Sequence, residues 1–271
     1  MKKKRIIPVL LLRDGHLVQS KLFTQYKKLG NPLKAVERLA QWDADELIYL
    51  NISKSPLGST QREDLNGQNF QTALEILRAI SESATMPITF GGGIEGLQDV
   101  QARISGGADK VAVNKLALRE PQILKQIAQE FGSQALVVSI DVLEVDSKYF
   151  IFSDGKPLME LKLEDFLKKI QDSGAGEILL NCVNRDGMKN GYEIELYQKV
   201  ESLIHVPLIA LGGAGEWGHM IEILSLSNVD AVAAANVFHH FDQSMYLARQ
   251  ALFQAQVRVR PPHLNPDVNV R

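Results

Sequence analysis

One cysteine, Cys182, stands among 271 residues. A lone thiol excludes a disulfide framework within the chain and fits a reducing cytosol, so a cytoplasmic location is expected. No run approaches the roughly 18 apolar residues of a spanning helix, and no membrane role is expected. The start "MKKKRIIPVLLL" imitates a secretory leader. Its apolar run is short, however, holds Pro8 and leads into "RDGHLVQS" with no small-residue cleavage site. A surplus of one charge sign is also missing: 30 Lys and Arg against 32 Asp and Glu leave a net charge of −2. That balance argues against a nucleic-acid partner. His239 and His240 have no further ligand at metal-binding spacing, so no metal site is expected.

What the chain does have is alternation. Apolar or β-branched runs at "RIIPVLLL", "ELIYLNI", "MPITFGG", "KVAVN", "LVVSIDV", "EILLNCV", "PLIALGG" and "AVAAANVF" read as strands covered on both faces. Amphipathic segments between them, such as "PLKAVERLAQW" and "LEDFLKKIQDS", read as helices. Eight βα units at this length predict a (β/α)₈ TIM barrel over residues 1–256, with an irregular tail over 257–271. An open doubly wound sheet is the alternative. "PITFGGGIEGLQDVQARISGGADKVAVNKLAL" also parallels "PLIALGGAGEWGHMIEILSLSNVDAVAAANVFHH". This internal repeat points to two related half-barrels and favours closure.

In such a barrel the chemistry sits at the C-terminal ends of the strands. "FGGGI" and "VNK" lie there in the first half, "LGGAG" and "AANVF" in the second. Glycines after a strand let backbone N–H groups approach an anion. Two such places in symmetric positions imply a ligand with two phosphates or two anionic ends. Asp141 closes the fifth strand at the same mouth, as a candidate general acid or base or as a loop-orienting cap. "NRDGMKNGY" offers Asp186 and Gly187 for a hydroxyl or phosphate, or is an ordinary turn. Cys182 lies within an apolar strand and reads as packing. At the other end Arg5, Glu46, Lys110 and Glu177 each precede a strand. These charges can pair across the axis as a plug, or form a gate in which one side chain swings aside.

Taken together, "RIIPVLLLRDG", "GGGI", "GADKVAVN", "QEFGSQALVVSID", "GAGEILL", "NRDG" and "GGAG" resemble the cyclase subunit of imidazole glycerol phosphate synthase. The likeness runs over almost the full length, to about Phe253. It implies an ammonia-dependent synthase subunit, without a metal or other cofactor, that works with a glutaminase partner docked beneath the barrel. It implies that Arg5, Glu46, Lys110 and Glu177 form the ammonia gate. One phosphate of a phosphorylated small-molecule substrate falls to Gly93, Asn114 and Lys115. The other falls to Asp186, Gly187, Gly213, Ala235 and Asn236. Asp141 matches one of two catalytic aspartates.

The departures are as informative. The family's other catalytic aspartate falls at Leu11, which cannot carry a proton. Gln19 replaces a lysine of the mobile loop, Asn51 an aspartate, and Lys115 a small hydroxyl residue. Losing a positioned acid–base group costs roughly 10²–10⁴ in rate. The same "LLL" marks a divergent branch that resembles components of surface-polysaccharide synthesis. There ammonia is relayed to a sugar amidotransferase acting on an acetamido sugar. Three expectations follow: an ammonia-conducting subunit of that kind, a histidine-pathway cyclase in which Asp14 supplies the missing carboxylate, or a non-catalytic scaffold for a glutaminase.

Overall fold

Residues of "RIIPVLLLR" alternate between two apolar surroundings, as a strand covered on both sides must. Ile6, Leu10 and Leu12 join one buried cluster, whereas Ile7, Val9 and Leu11 join a second, smaller one. The computed structural model, which describes residues 2–53, 70, 72–239 and 243–263, places the first cluster under the helices and the second inside a closed sheet.

The strands in chain order are β1 (Arg5–Arg13), β2 (His16–Lys21), β3 (Gln25–Gly30), β4 (Leu47–Asn51), β5 (Ile88–Gly91) and β6 (Lys110–Val113). They continue with β7 (Leu136–Val145), β8 (Lys148–Ser153), β9 (Lys156–Pro157), β10 (Glu177–Cys182), β11 (Leu208–Leu211) and β12 (Ala231–Ala234). Parallel pairing runs β1–β4–β5–β6–β7–β10–β11–β12 and returns to β1. The sheet is therefore an eight-stranded closed barrel, and the open-sheet alternative is set aside.

Helices cover its outside: α1 (Pro32–Gln41), α2 (Ala73–Ser83), α3 (Leu97–Ser105), α4 (Lys115–Arg119) and α5 (Gln122–Phe131) in the first half. The second half supplies α6 (Leu163–Asp172), α7 (Ile194–Val200), α8 (Trp217–Leu226) and α9 (Ser244–Gln254). α1 shows why such segments form helices here. Asn31 caps it by accepting from the Leu33 amide at 2.8 Å, and Pro32 occupies the first turn, where no N–H is needed. Ala35, Val36, Leu39 and Ala40 then face the sheet, each large aliphatic chain contributing about 1.5–3 kcal/mol on burial.

The remaining strands form two antiparallel extensions. β2 and β3 continue β1, and β8 and β9 continue β7. β1 and β7 are the first and fifth strands of the barrel, so the extensions occupy equivalent places in the two half-barrels.

A fourfold pattern marks the lower rim. Asp45, Asp109 and Asp230 accept the backbone N–H of Ile6, Ile88 and Leu208, at 2.8, 2.8 and 3.0 Å. At the fourth place, before β10, stands Gly176, where any Cβ would lie 1.8 Å from the Ser133 carbonyl oxygen. Beyond α9 the chain returns to this rim: the Lys4 amide donates to the Arg258 carbonyl at 2.7 Å, and Val259 is buried. Arg260 donates to Asp45 at 2.5 Å. The fully buried Arg249 pairs with Asp43, and with Asp45 at 3.1 Å.

Candidate functional site

The four charges meet, with Arg5, Lys110 and Glu177 as the first residues of β1, β6 and β10 and Glu46 just before β4. Arg5 bonds Glu46 at 2.5 Å and also pairs with Glu177. Lys110 reaches the same two carboxylates, at 3.1 Å to Glu46 and 3.0 Å to Glu177. Signs alternate around the ring, and each side chain has two partners. The side chains of Glu46 and Glu177 are 11% and 6% exposed, against 23% and 20% for Arg5 and Lys110. Two cations are thus held at the floor of the lumen by carboxylates less accessible than themselves.

Above the ring the lumen is lined by Ile7, Val9, Ile48, Ala112, Val137, Leu179, Ile209, Ala231 and Ala233, all buried. Leu11, Leu50, Leu211 and Ala235 top this wall and are only partly buried. Leu11 pairs in register with Leu50. The "LLL" of β1 therefore divides by function: Leu10 and Leu12 pack under the helices, and Leu11 alone faces the mouth.

Across the barrel the wall is polar. Asp141 accepts from Asn114 Nδ2 and from Asn181 Nδ2, each at 2.9 Å. Although the residue keeps some exposure at the mouth, burial of its carboxyl pushes the pKa up to about 6. The two amide donors oppose that rise, and the nearby charge of Asp186 adds to it. A carboxyl tuned toward neutrality is suited to exchange a proton near physiological pH. Asp14 does not complement it: its side chain is 65% exposed beside Arg13, at 3.7 Å.

The residues expected to bind phosphate gather in two groups, each engaged with one hairpin. In the first half, Arg103 donates to the Gly92 and Gly93 carbonyls at 3.2 and 2.9 Å and fixes that loop. Asn114 turns to Asp141. Lys115 pairs with Asp154 in the turn between β8 and β9. That pair is about two-thirds exposed on both sides and therefore weak, so Lys115 can exchange Asp154 for an anion at small cost.

In the second half three residues converge on Ser20 of β2, which is 2% exposed. Asp186 accepts from its hydroxyl at 2.7 Å, Asn236 donates to its carbonyl at 3.2 Å, and a Cβ on Gly187 would come within 2.4 Å of that oxygen. Burial raises the pKa of Asp186, and the bonds from Ser20 and the Phe23 amide oppose the rise. Gly213 accepts from the Gly191 amide at 2.9 Å, tying the "GGAG" and "NGY" loops together. Ala235 sits at the edge of the lumen. The two hairpins meet over the mouth, where the rings of Phe23 and Phe152 stand edge to face at 6.2 Å.

Residues 5–243 match the family model described as histidine biosynthesis protein. The chain belongs to that family. Among curated histidine biosynthesis proteins it is 35% identical over 261 residues to the imidazole glycerol phosphate synthase subunit HisF of Flavobacterium johnsoniae. It is 34% identical over 261 residues to the subunit of the same name from Flavobacterium psychrophilum. For the Staphylococcus aureus subunit of that name the identity is 34% over 263 residues. Each alignment covers 96% of this chain and 100% of the relative.

In this member of the family, the residues that sequence reasoning overlooked are the positioning ones. Ser20, Phe152 and Arg103 carry no chemical signature in one dimension. Asn181 had a signal, since it stands four places after Glu177 on a strand and so shares its face. His239 lies in a short turn after β12, and His240 lies outside the described residues. Cys182 is buried, and burial raises its thiol pKa to about 11, away from reactivity.

Proposed function

We propose that this chain is a HisF-like synthase subunit that takes ammonia through the ring beneath the barrel and passes it up the lumen. It does so for an amidation outside histidine biosynthesis. The glutaminase that supplies the ammonia docks against the ring. The acceptor carries phosphate or another anionic end at the mouth, and the acetamido group of a surface-polysaccharide sugar precursor, handled by a separate sugar amidotransferase, fits the chemistry. Ammonia is neutral when unprotonated, so an apolar lumen conducts it without the desolvation cost that an ion would meet.

The observation that carries this reading is the hydrocarbon at Leu11. A lumen-facing leucine stands opposite Asp141, and Asp14 is turned outward beside Arg13. With one proton carrier of two missing, ring closure and lyase chemistry on the histidine-pathway ribonucleotide should fall by about 10²–10⁴. Purified protein, given that substrate and ammonium salts, tests this by product absorbance. Turnover within about tenfold of an ordinary cyclase would overturn the loss-of-acid argument.

A second reading is a working histidine-pathway cyclase, favoured by one electrostatic interaction: the charge of Asp186 raises the pKa of Asp141, though less than burial does. In it Asp186 leaves Ser20 when substrate binds and supplies the second carboxylate. Asp186→Asn then abolishes any cyclase turnover, whereas under the first reading there is little turnover to lose.

A further inference from the structure

Ser139 interrupts the apolar lumen one step beneath Asp141. On β7 the residues Val138 and Ile140 belong to the cluster under the helices, and Val137 belongs to the lumen. Alternation therefore turns Ser139 inward with Val137 and Asp141. Its register partner is the lumen residue Leu179 of β10. Both Val137 and Leu179 are 0% exposed, yet Ser139 keeps partial exposure. Helices seal the outer face of this strand, so the space it opens onto is the lumen. Among the described residues its hydroxyl has no hydrogen-bond partner and is not one of the sealed-off polar atoms.

We propose that Ser139 is the positioning residue that holds ammonia in the upper lumen, directly below Asp141. The inference rests on the ammonia-conducting reading and extends it from a passage to a binding station. Two residues of strand separate Ser139 from Asp141, or about 7 Å. One small molecule hydrogen-bonded on both sides, at about 3 Å each, spans that gap. Ammonia offers one lone pair and three N–H donors. The Ser139 hydroxyl donates to the lone pair, and the Asp141 carboxylate accepts an N–H. No bond is made or broken at this station. Its effect is to orient the nitrogen and retain it beside an acid–base group.

The test uses full-length protein carrying ¹³C in aspartate carboxyl groups, with the Asp141 resonance assigned by its loss in Asp141→Asn. Spectra are recorded at about pH 8, where Asp141 is ionised. Ammonium chloride should move the Asp141 signal in a saturable way that sodium chloride does not reproduce. Ser139→Ala should raise the apparent dissociation constant about 3–10-fold, the loss of one hydrogen bond, and Ser139→Thr should restore it. An equal response in Ser139→Ala overturns the station while leaving conduction intact. A response no different from that to sodium chloride also overturns it, since the space then belongs to water. Conduction is judged separately, by capture of glutamine-derived ammonia in the presence of a glutaminase subunit and by its loss in Lys110→Ala.

Discussion

At the lower end of the barrel each of four charged side chains touches two of opposite sign. At the upper end one carboxylate, Asp141, touches only neutral amides and looks across at Leu11, Leu50 and Leu211. Both ends are built from the lumen-facing positions of the same strands: Arg5 and Leu11 share β1, and Glu177 and Asn181 share β10. The chain thus has a self-neutralising cluster at one end and a buried carboxylate without a cation at the other. A neutral ring with two partners per charge can let one side chain swing out while the rest stay paired. A carboxylate denied a cation instead binds its proton more tightly. One end holds its charges in pairs, and at the other burial disfavours the single charge.

The largest test of this contrast removes a carboxylate from the ring. Glu177→Ala leaves Arg5 and Lys110 with one anion between them. Breaking a buried pair costs 3–5 kcal/mol, reduced here to about 2–4 because both cations retain solvent contact. Thermal unfolding should drop by about 5–10 °C at low salt. A variant as stable as the parent would show that water solvates the ring and that the charges are not held.

The second test should give the opposite sign at the other end. Asp141 has its pKa raised by burial to about 6 in the folded chain, so folding binds its proton more tightly than the unfolded state does. Stability is then highest when Asp141 is protonated and falls as pH rises from about 4 through 6. Asp141→Asn removes that loss. It should be near-neutral at pH 4 and more stable than the parent by about 1–2 kcal/mol at pH 7.5. Should Asp141→Asn and Glu177→Ala destabilise alike at pH 7.5, the two ends do not differ in the way described.

These two ends were not equally legible. The ring follows from four residues at one position relative to their strands, because "DADE", "GADK" and "GAGE" repeat a local frame that the barrel then superimposes. Leu11 likewise stands out as hydrocarbon where a side chain should act. The roof over the mouth left no such trace. "HLVQSK" and "KYFIFS" hold strand-prone residues, but nothing local says that they extend β1 and β7 past the barrel. Ser20 lies 166 residues from Asp186 and 216 from Asn236. No pattern local to Ser20 announces those bonds. Residues expected to meet phosphate through their own chemistry prove also to hold hairpins, which only the closed fold can reveal.

The smallest effect concerns that roof. Phe23 and Phe152 are the one ring contact joining the two hairpins among the described residues, and such a pair contributes about 0.5–1.5 kcal/mol. Phe152→Ala should barely alter global stability, because the β2–β3 hairpin keeps the Ser20 hydroxyl bond to Asp186 and the Asn236 bond to the Ser20 carbonyl. Local opening should respond instead. Amide exchange across residues 21–26 should quicken about 2–10-fold, while exchange in β10 and β11 stays unchanged. Adding Ser20→Ala removes the hydroxyl bond to Asp186 and should quicken exchange further, by more than either change alone if both contacts close one lid. Purely additive effects would make the two hairpins independent flaps. The upper end would then lack even the mechanical coupling that the lower end has through its charges.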